Sequence, residues 1–223
     1  IPTADALVSN IRPAGLGRLG FSYEACKELN PRLIYASATG FGQDGPWSAR
    51  PAFDEIIQAA SGFASSMGTD DEPSFVPSLI GDKLCAMALS SAVTAALLHR
   101  ERTGEGQMVE VPMLETLAAF NSIEMLGGLA FKPPIGESGY ARMKARRPVR
   151  TKDSWITMLP YSGDNWCEFF EAVGHPECIE EFEVRDRVKR SANIDKIYDR
   201  MREIAPTRTT AEWETLLLSI DVP

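Results

Sequence analysis

Asp82 is the residue in this sequence whose type and position most directly suggest chemistry. It follows Gly81 and precedes a long run of small and apolar residues, so we expect it at the first position of a helix. A carboxylate there faces the positive end of the helix dipole, which keeps it ionised, and Gly81 gives access to the backbone. Asp is also among the commonest helix caps, and on spacing alone an ordinary cap is the favoured interpretation.

Other common catalytic patterns are missing from the sequence. It has no G-x-S-x-G nucleophile elbow and no P-loop. The two histidines are predicted at a helix C-terminus (His99) and in a Gly-His-Pro turn (His175), and neither setting suggests acid–base catalysis. With two histidines and four cysteines lacking C-x-x-C spacing, a metal site is not expected.

The composition disfavours several partners. The 223 residues carry 31 acidic and 23 basic side chains, a net charge of −8, which disfavours nucleic acid or an anionic membrane surface as the main partner. The longest apolar stretch, residues 84–98, is expected to be too short and too rich in Ala, Ser and Thr for a membrane span. Scattered cysteines are typical of a reduced, cytoplasmic protein.

The first half of the chain alternates strands and helices. Strands are predicted at 6–8, 33–37 and 107–111, and helices at 23–29, 52–67, 82–100 and 113–129. This order indicates an α/β fold with a parallel sheet. In the helix at 52–67, one face is expected to be buried; it comprises Phe53, Ile56, Ile57, Ala60 and either Phe63 or Ala64. Residues 40–46, with three glycines and a proline, must form a loop.

The second half changes character at residues 132–150, a basic stretch with three prolines that is predicted to be a linker. After it, a strand is expected at 155–159 and helices at 163–173 and 192–204, followed by a capping box at Thr209 and Glu212. We therefore predict three parts: a large domain at 1–112, a helix and loop that link the domains at 113–149, and a small α+β domain at 150–223.

Several short stretches also occur in a characteristic order. They read ADALVSNIRP at 4–13, RLG at 18–20, NPRLIY at 30–35, TGFGQDGP at 39–46, DEIIQA at 54–59, SG at 61–62, GD at 81–82, TGEGQ at 103–107, RTKDSWI at 150–156 and TRTTAEW at 207–213. In this order and spacing they resemble the family III CoA-transferases, the CaiB/BaiF group that includes formyl-CoA transferase and is similar to alpha-methylacyl-CoA racemase. The resemblance covers essentially the whole chain and implies a Rossmann-like large domain.

By this resemblance, Asp82 matches the family's catalytic aspartate. The implied reaction moves coenzyme A reversibly between an acyl-CoA and a carboxylic acid through covalent aspartyl intermediates, without metal, flavin or nicotinamide. Backbone amides of the glycine-rich loop at 40–45 are candidates for stabilising the oxyanions that form on the way.

The resemblance also implies a CoA site. Asn10, Ile11, Arg12, Arg18 and Leu19 match positions near bound CoA, where arginine can pair with phosphate or stack on adenine. A second CoA-lining stretch is matched by Ala52, Phe53 and Asp54. Without the resemblance, the arginine-containing segment would equally well be a solvated turn.

One departure from the family pattern bears on the reaction. The racemase branch has a His at the position of Phe53, and phenylalanine cannot move a proton, so transfer is favoured over racemisation. A glycine-rich segment that covers the active site in formyl-CoA transferase has no counterpart here, which argues against formate and oxalate as substrates. An acyl-CoA racemase or isomerase and a catalytically silent family member stay open as alternatives.

The family's chain has further segments at both ends. We therefore expect that this sequence is an internal fragment, and that the intact protein is a cytoplasmic homodimer with interlocked subunits.

Overall fold

The computed structural model of the protein describes residues 1–68, 72–135 and 145–223. Within these residues the chain divides into two units, Ile1–Leu126 and Gly127–Pro223. The predicted domain boundary at 112 therefore lies 14 residues earlier than the observed division at 126. The difference arises because the helix after residue 112 packs within the first unit, against helices and a strand of that unit.

The described part of the first unit contains a parallel sheet of three strands. These are β1 (Ala6–Ser9), β2 (Ile34–Thr39) and β3 (Gln107–Pro112), in the spatial order β1-β2-β3. Ala6 pairs with Ile34, and Thr39 pairs with Pro112. The central strand β2 is almost entirely buried because it has a strand on each side and a long helix packed against it. The predicted α/β fold with a parallel sheet is confirmed.

Helices lie between these strands, and one more follows β3. They are α1 (Pro13–Arg18), α2 (Tyr23–Leu29), α3 (Asp54–Ala60), α4 (Phe63–Met67), α5 (Ile80–Thr103) and α6 (Met113–Leu126). Since the strands are parallel, the segments that follow their carboxyl ends all emerge at one edge of the sheet. Residues 10–12 follow β1 there, residues 40–53 follow β2, and α6 begins directly after β3.

The predicted helix at 52–67 is two helices with a break at Ser61 and Gly62. Gly62 has a φ of +78°, a left-handed conformation that ends the first helix. The predicted buried face was also partly wrong: Phe53 and Ile56 are 77% and 51% exposed, whereas Ile57 is buried. The positions turned inward beside Ile57 belong instead to Asp54 and Gln58.

Helix α5 begins two residues before Asp82 and ends at Gly104, whose φ is +83°. It packs against β2, β3 and α6. By length and composition α5 meets the criteria for a membrane-spanning helix, criteria that the core helix of a soluble protein also meets, so the expectation from residues 84–98 stays a prediction.

The second unit is mainly helical. Strands β4 (Val149–Arg150) and β5 (Trp155–Ile156) pair antiparallel. The helices that follow are α7 (Gly163–Ala172), α8 (Glu177–Glu181), α9 (Arg187–Ala192), α10 (Ile194–Ile204) and α11 (Thr210–Ser219). Its core is aromatic, with Trp166, Phe169 and Trp213 fully buried.

Several predictions for the second unit can be compared with these elements. The capping box at Thr209 and Glu212 is confirmed. The strand predicted at 155–159 ends at Ile156, and the helix predicted at 192–204 begins at Ile194, after a separate helix α9. Of the predicted linker, residues 136–144 lie outside the described residues, while Val149 is part of β4 and of the buried core.

Candidate active site

Asp82 lies in the first turn of α5, as its third residue, with its side chain exposed. Its backbone N–H donates a hydrogen bond of 3.0 Å to Oδ1 of Asp54. Leu79, not Asp82, occupies the capping position, and the helix start has no side-chain cap. The interpretation of Asp82 as an ordinary cap is therefore wrong, and its carboxylate is open to a substrate.

The pKa of Asp82 is raised above its ordinary value. Partial burial is the main cause, because it penalises the charged form, and the negative charges of Asp54 and Glu55 add to it. The expectation that the helix start keeps this carboxylate ionised thus overlooked its acidic neighbours. Because its pKa is raised, Asp82 becomes protonated and loses its charge at a higher pH than an ordinary aspartate does.

A buried polar pair holds the start of α5. Asp54 and Gln58 are 3% and 1% exposed, and Gln58 Nε2 donates to Asp54 Oδ2 over 2.6 Å. The other amide atom, Gln58 Oε1, accepts from the backbone N–H of Val76 over 2.9 Å. Asp54 therefore connects α3 to the backbone of α5, while Gln58 connects α3 to the segment that leads into α5.

Gly81 lets α5 approach this pair closely. A Cβ atom at position 81 would lie 3.0 Å from Asp54 Oδ1 and 3.6 Å from Ile57 Cγ2. The predicted importance of Gly81 therefore has a steric basis, since a side chain there would press on the carboxylate that anchors Asp82.

The predicted CoA residues after β1 are only partly gathered in one place. Ile11, Arg12 and Arg18 line a cleft of about 380 Å³ together with Gln43, Ser48 and Ala49. Arg12 Nη1 donates to the Ala49 carbonyl over 2.9 Å, which fixes the guanidinium at the cleft wall. Asn10 is exposed beside these residues, and Leu19, 64% exposed, is not among the lining residues.

The three residues of the second predicted CoA stretch, at 52–54, lie in different environments. Ala52 is half-buried against Gly40, where a Cβ would lie 2.3 Å from that of Ala52. Phe53 is exposed just before α3, and Asp54 is buried with both carboxylate oxygens engaged. Asp54 therefore supports the backbone of Asp82, and its place in the CoA site stays a prediction.

Two backbone amides of the glycine-rich loop are already hydrogen-bonded to acidic side chains. The backbone N–H of Gly42 donates to Glu115 Oε1 over 3.0 Å, and that of Gln43 donates to Glu110 Oε1 over 2.8 Å. Since these two donors already have acceptors, they are not free to stabilise an oxyanion as the structure stands.

Two stretches, residues 15–20 and 40–45, also fit the pattern G-x-G-x-x-G. The first lies within and just after the six-residue helix α1, and the second follows β2 but is separated from α3 by eight residues. Neither joins a strand directly to a long helix, as the dinucleotide-binding fingerprint requires.

The histidines lie away from Asp82 along the chain. His99 is exposed near the far end of α5, about 25 Å from Asp82 along the helix axis at 1.5 Å per residue. His175 belongs to the second unit, where its Nδ1 is 2.9 Å from Glu177 Oε1 and 3.3 Å from Arg200 Nη2. Across the described residues, no group of three or more His, Cys, Asp or Glu side chains is arranged to hold a metal ion.

Four residues of this region were given no role by the sequence: Gln58, Gln43, Glu110 and Glu115. For Gln58 a local signal existed, since it lies one helical turn after Asp54 on the same face. The two glutamates had none, because their partners are 67 and 73 residues away in sequence.

An open parallel α/β layer with an exposed carboxylate and an arginine-lined cleft is typical of proteins that bind phosphate-bearing ligands at the carboxyl edge of the sheet. The chain matches CoA-transferase family III over residues 1–223 and belongs to that family.

Curated relatives include the "Probable fatty acyl-CoA transferase Rv3272" of Mycobacterium tuberculosis, 29% identical over 96% of this chain and 58% of the relative. The acetyl-CoA:oxalate CoA-transferase of Acetobacter aceti is 31% identical over 99% of this chain and 58% of its own. The crystal structure of the Mycobacterium protein superposes with a TM-score of 0.82 at 27% identity, covering 100% of this chain and 59% of that one. The sequence thus spans somewhat under three fifths of the length of these relatives.

The Asp54–Gln58 pair leads to a first prediction. Gln58→Leu keeps the side-chain volume but leaves Asp54 Oδ2 and the Val76 N–H without their buried partner, so we expect it to lower the free energy of unfolding by about 2 kcal/mol. Hydrogen exchange at Val76 should also become faster. Urea unfolding and exchange measured by mass spectrometry check both effects.

The matched control is Gln107→Leu, the same replacement at a half-buried glutamine on β3. It should change stability by no more than about 0.5 kcal/mol. Equal losses in the two variants would contradict the role assigned to Gln58.

Proposed function

We propose that the protein transfers coenzyme A between an acyl-CoA thioester and a carboxylic acid, with Asp82 as the covalent nucleophile. The observation that carries this proposal is the state of Asp82: its carboxylate is exposed while its backbone is anchored to a buried carboxylate. An exposed, positioned carboxylate in a family of CoA-transferases has the chemistry that such a reaction needs.

In the first half of the proposed reaction, a carboxylate oxygen of Asp82 attacks the thioester carbonyl carbon of the donor. The carbon–sulfur bond breaks and CoA leaves as thiolate, which gives a mixed anhydride on Asp82. The thiolate then attacks the Asp82 carbonyl carbon, the donor acid leaves as a carboxylate, and an aspartyl-CoA thioester is formed. Each intermediate contains an activated acyl group, the donor's and that of Asp82 in the anhydride and that of Asp82 alone in the thioester, so water must be kept away from it.

The second half repeats these steps with the acceptor. Its carboxylate attacks the aspartyl thioester and releases CoA thiolate, and the thiolate then attacks the acceptor's carbonyl carbon. This yields the new acyl-CoA and free Asp82 carboxylate, so no proton or electron is consumed overall. The reaction is reversible because one thioester replaces another.

In this proposal the arginine-lined cleft binds CoA. Arg18 is exposed at the cleft and Arg12 is held by Ala49, so both present positive charge to phosphate groups. The relatives' names differ in the acid that they mention, among them oxalate, succinate and glutarate. They support the reaction class for this chain without selecting one acid.

We also propose the cytoplasmic homodimer that the resemblance implies, without a metal or organic cofactor. The acyl-CoA and the carboxylic acid are then the only small molecules the reaction requires. No membrane or nucleic acid partner is part of the proposal.

The second prediction concerns Asp82. Asp82→Asn keeps the shape of the side chain but removes the nucleophile, so we expect transfer to fall by a factor on the order of 10³ or more. The unfolding free energy should change by no more than about 0.5 kcal/mol, because the side chain is exposed. Initial rates and thermal unfolding measure the two effects.

Intact-protein mass spectrometry with acyl-CoA and no acceptor provides a direct control for this variant. The protein with Asp82 should gain the mass of the covalent intermediate, and the Asp82→Asn variant should not. Retention of most of the transfer activity by Asp82→Asn would overturn the mechanism.

The third prediction concerns pH. The acid limb of the rate profile should lie above the ordinary pKa of aspartate, because Asp82 must be ionised and its pKa is raised. Glu55→Gln removes one of the negative charges that raise it, so the limb should move to lower pH. Glu105→Gln, the same charge change just beyond the far end of α5, should leave the limb in place. A limb that does not respond to Glu55→Gln would contradict the assignment to Asp82.

The fourth prediction separates transfer from racemisation. Removing and replacing a proton at carbon 2 needs acid–base groups on both faces, and Phe53 offers only an apolar ring before α3. With a chiral 2-methylacyl-CoA in deuterated water, we expect a new CoA ester only when a free acid is present, without deuterium at carbon 2. Deuterium uptake with loss of chirality would establish the racemase alternative.

A further inference from the structure

Two acidic side chains from other elements accept hydrogen bonds from the backbone of the turn at residues 40–46. Glu110, in β3, accepts the backbone N–H of Gln43, and Glu115, in the first turn of α6, accepts the N–H of Gly42. Hydrogen bonds to ionised acceptors are shorter and stronger than neutral ones. Two adjacent backbone donors are therefore committed to carboxylates from the next strand and helix.

Gly42 is fitted to this arrangement. A Cβ atom at position 42 would lie 2.5 Å from Glu115 Oε1, so any side chain would displace the carboxylate. The turn is also joined to the same region through its backbone, since the Leu114 N–H donates to the Gly40 carbonyl over 3.1 Å. The contacts made by Leu114, Glu115 and Glu110 thus fix one side of the turn.

The other side of the turn leads into the cleft that contains Arg12 and Arg18. Gln43, Ser48 and Ala49 form part of the cleft lining, and Ala49 accepts from Arg12. In the sequence between Gln43 and Ser48, Trp47 packs edge-on against Phe41, with ring centroids 5.5 Å apart. A change in the turn would therefore be transmitted through a short, packed segment to the wall of the cleft.

We propose that Glu110 and Glu115 are positioning residues, which hold the 40–46 turn so that the cleft has the shape that binds acyl-CoA. This inference rests on the proposed function for the identity of the ligand. Neither glutamate lines the cleft, so both act through the turn. Glu110 is partly buried and Glu115 is exposed, and the bond to Glu110 is the shorter, so Glu110 carries the larger effect.

The experiment compares Glu110→Ala, Glu110→Gln, Glu115→Ala and Glu115→Gln in the purified protein. The glutamine variants keep an oxygen that can accept the same hydrogen bond while losing the charge. The control is Glu124→Ala, which removes a carboxylate nine residues further along α6 from Glu115. Three quantities are measured: amide hydrogen exchange across residues 40–50, the Kd of CoA by titration calorimetry, and kcat and KM for an acyl-CoA substrate.

For Glu110→Ala we expect at least ten-fold faster exchange in the turn and about a ten-fold rise in both Kd and KM, with kcat within two-fold of the parent. Glu115→Ala should give a change of a few-fold in the same direction. Each glutamine variant keeps an acceptor but loses the charge, so it should show a clearly smaller effect than the matching alanine variant, and Glu124→Ala should match the parent. The glutamine variants keep the test decisive even if an alanine variant fails to fold.

Faster exchange with unchanged Kd and KM would overturn the inference, because the carboxylates would then hold the turn without shaping the cleft. A loss confined to kcat would overturn it as well. If the parent protein itself showed no affinity for CoA, the proposed function would fail and this inference with it. Normal affinity in the parent together with unchanged variants would refute this inference alone.

Discussion

The hydrogen bond from the Asp82 backbone to the buried Asp54 carboxylate is the interaction on which the arrangement of the site depends. The first turn of a helix has N–H groups without helical partners, and here one of them is bound by a side chain from another helix. Burying a carboxylate is costly unless it is hydrogen-bonded, and the N–H of Asp82 and the amide of Gln58 meet that requirement. The Asp82 side chain consequently does not cap the helix.

The same principle operates in the turn after β2, where Glu110 and Glu115 accept hydrogen bonds from backbone N–H groups. In both places an acidic side chain from one element fixes the backbone of another. The acidic composition that seemed only to exclude nucleic acid thus has a local structural use. Burial is the main cause of the raised pKa of Asp82, and the negative charges of Asp54 and Glu55 add to it.

Patterns within a few residues were sufficient to predict much of the fold. The apolar runs at 6–8 and 33–37, separated by a helix, indicated the parallel sheet, and Gly104 ended α5 close to where it was expected. The prediction of which face of α3 is buried was partly wrong, because Asp54 and Gln58, polar residues of types that are usually exposed, are buried as a pair. The hydrogen bonds of Glu110 and Glu115 to the turn join residues that are 67 and 73 positions apart, so no local sequence pattern could predict them. The role proposed for Asp82 came from the resemblance, because spacing alone indicated a helix cap.

The contact between Gly40 and Ala52 joins two points that flank the cleft-lining segment. A methyl group on residue 40 would overlap the one on residue 52 at 2.3 Å, whereas the next nearest atom, the Cα of residue 52, would lie at an ordinary 3.6 Å. The space therefore accommodates one methyl group but not two. Alanine can therefore occupy position 40 only where position 52 is glycine, which ties the two positions together under selection: in related sequences a side chain at 40 should be accompanied by glycine at 52, and Gly40→Ala alone would displace the segment between them.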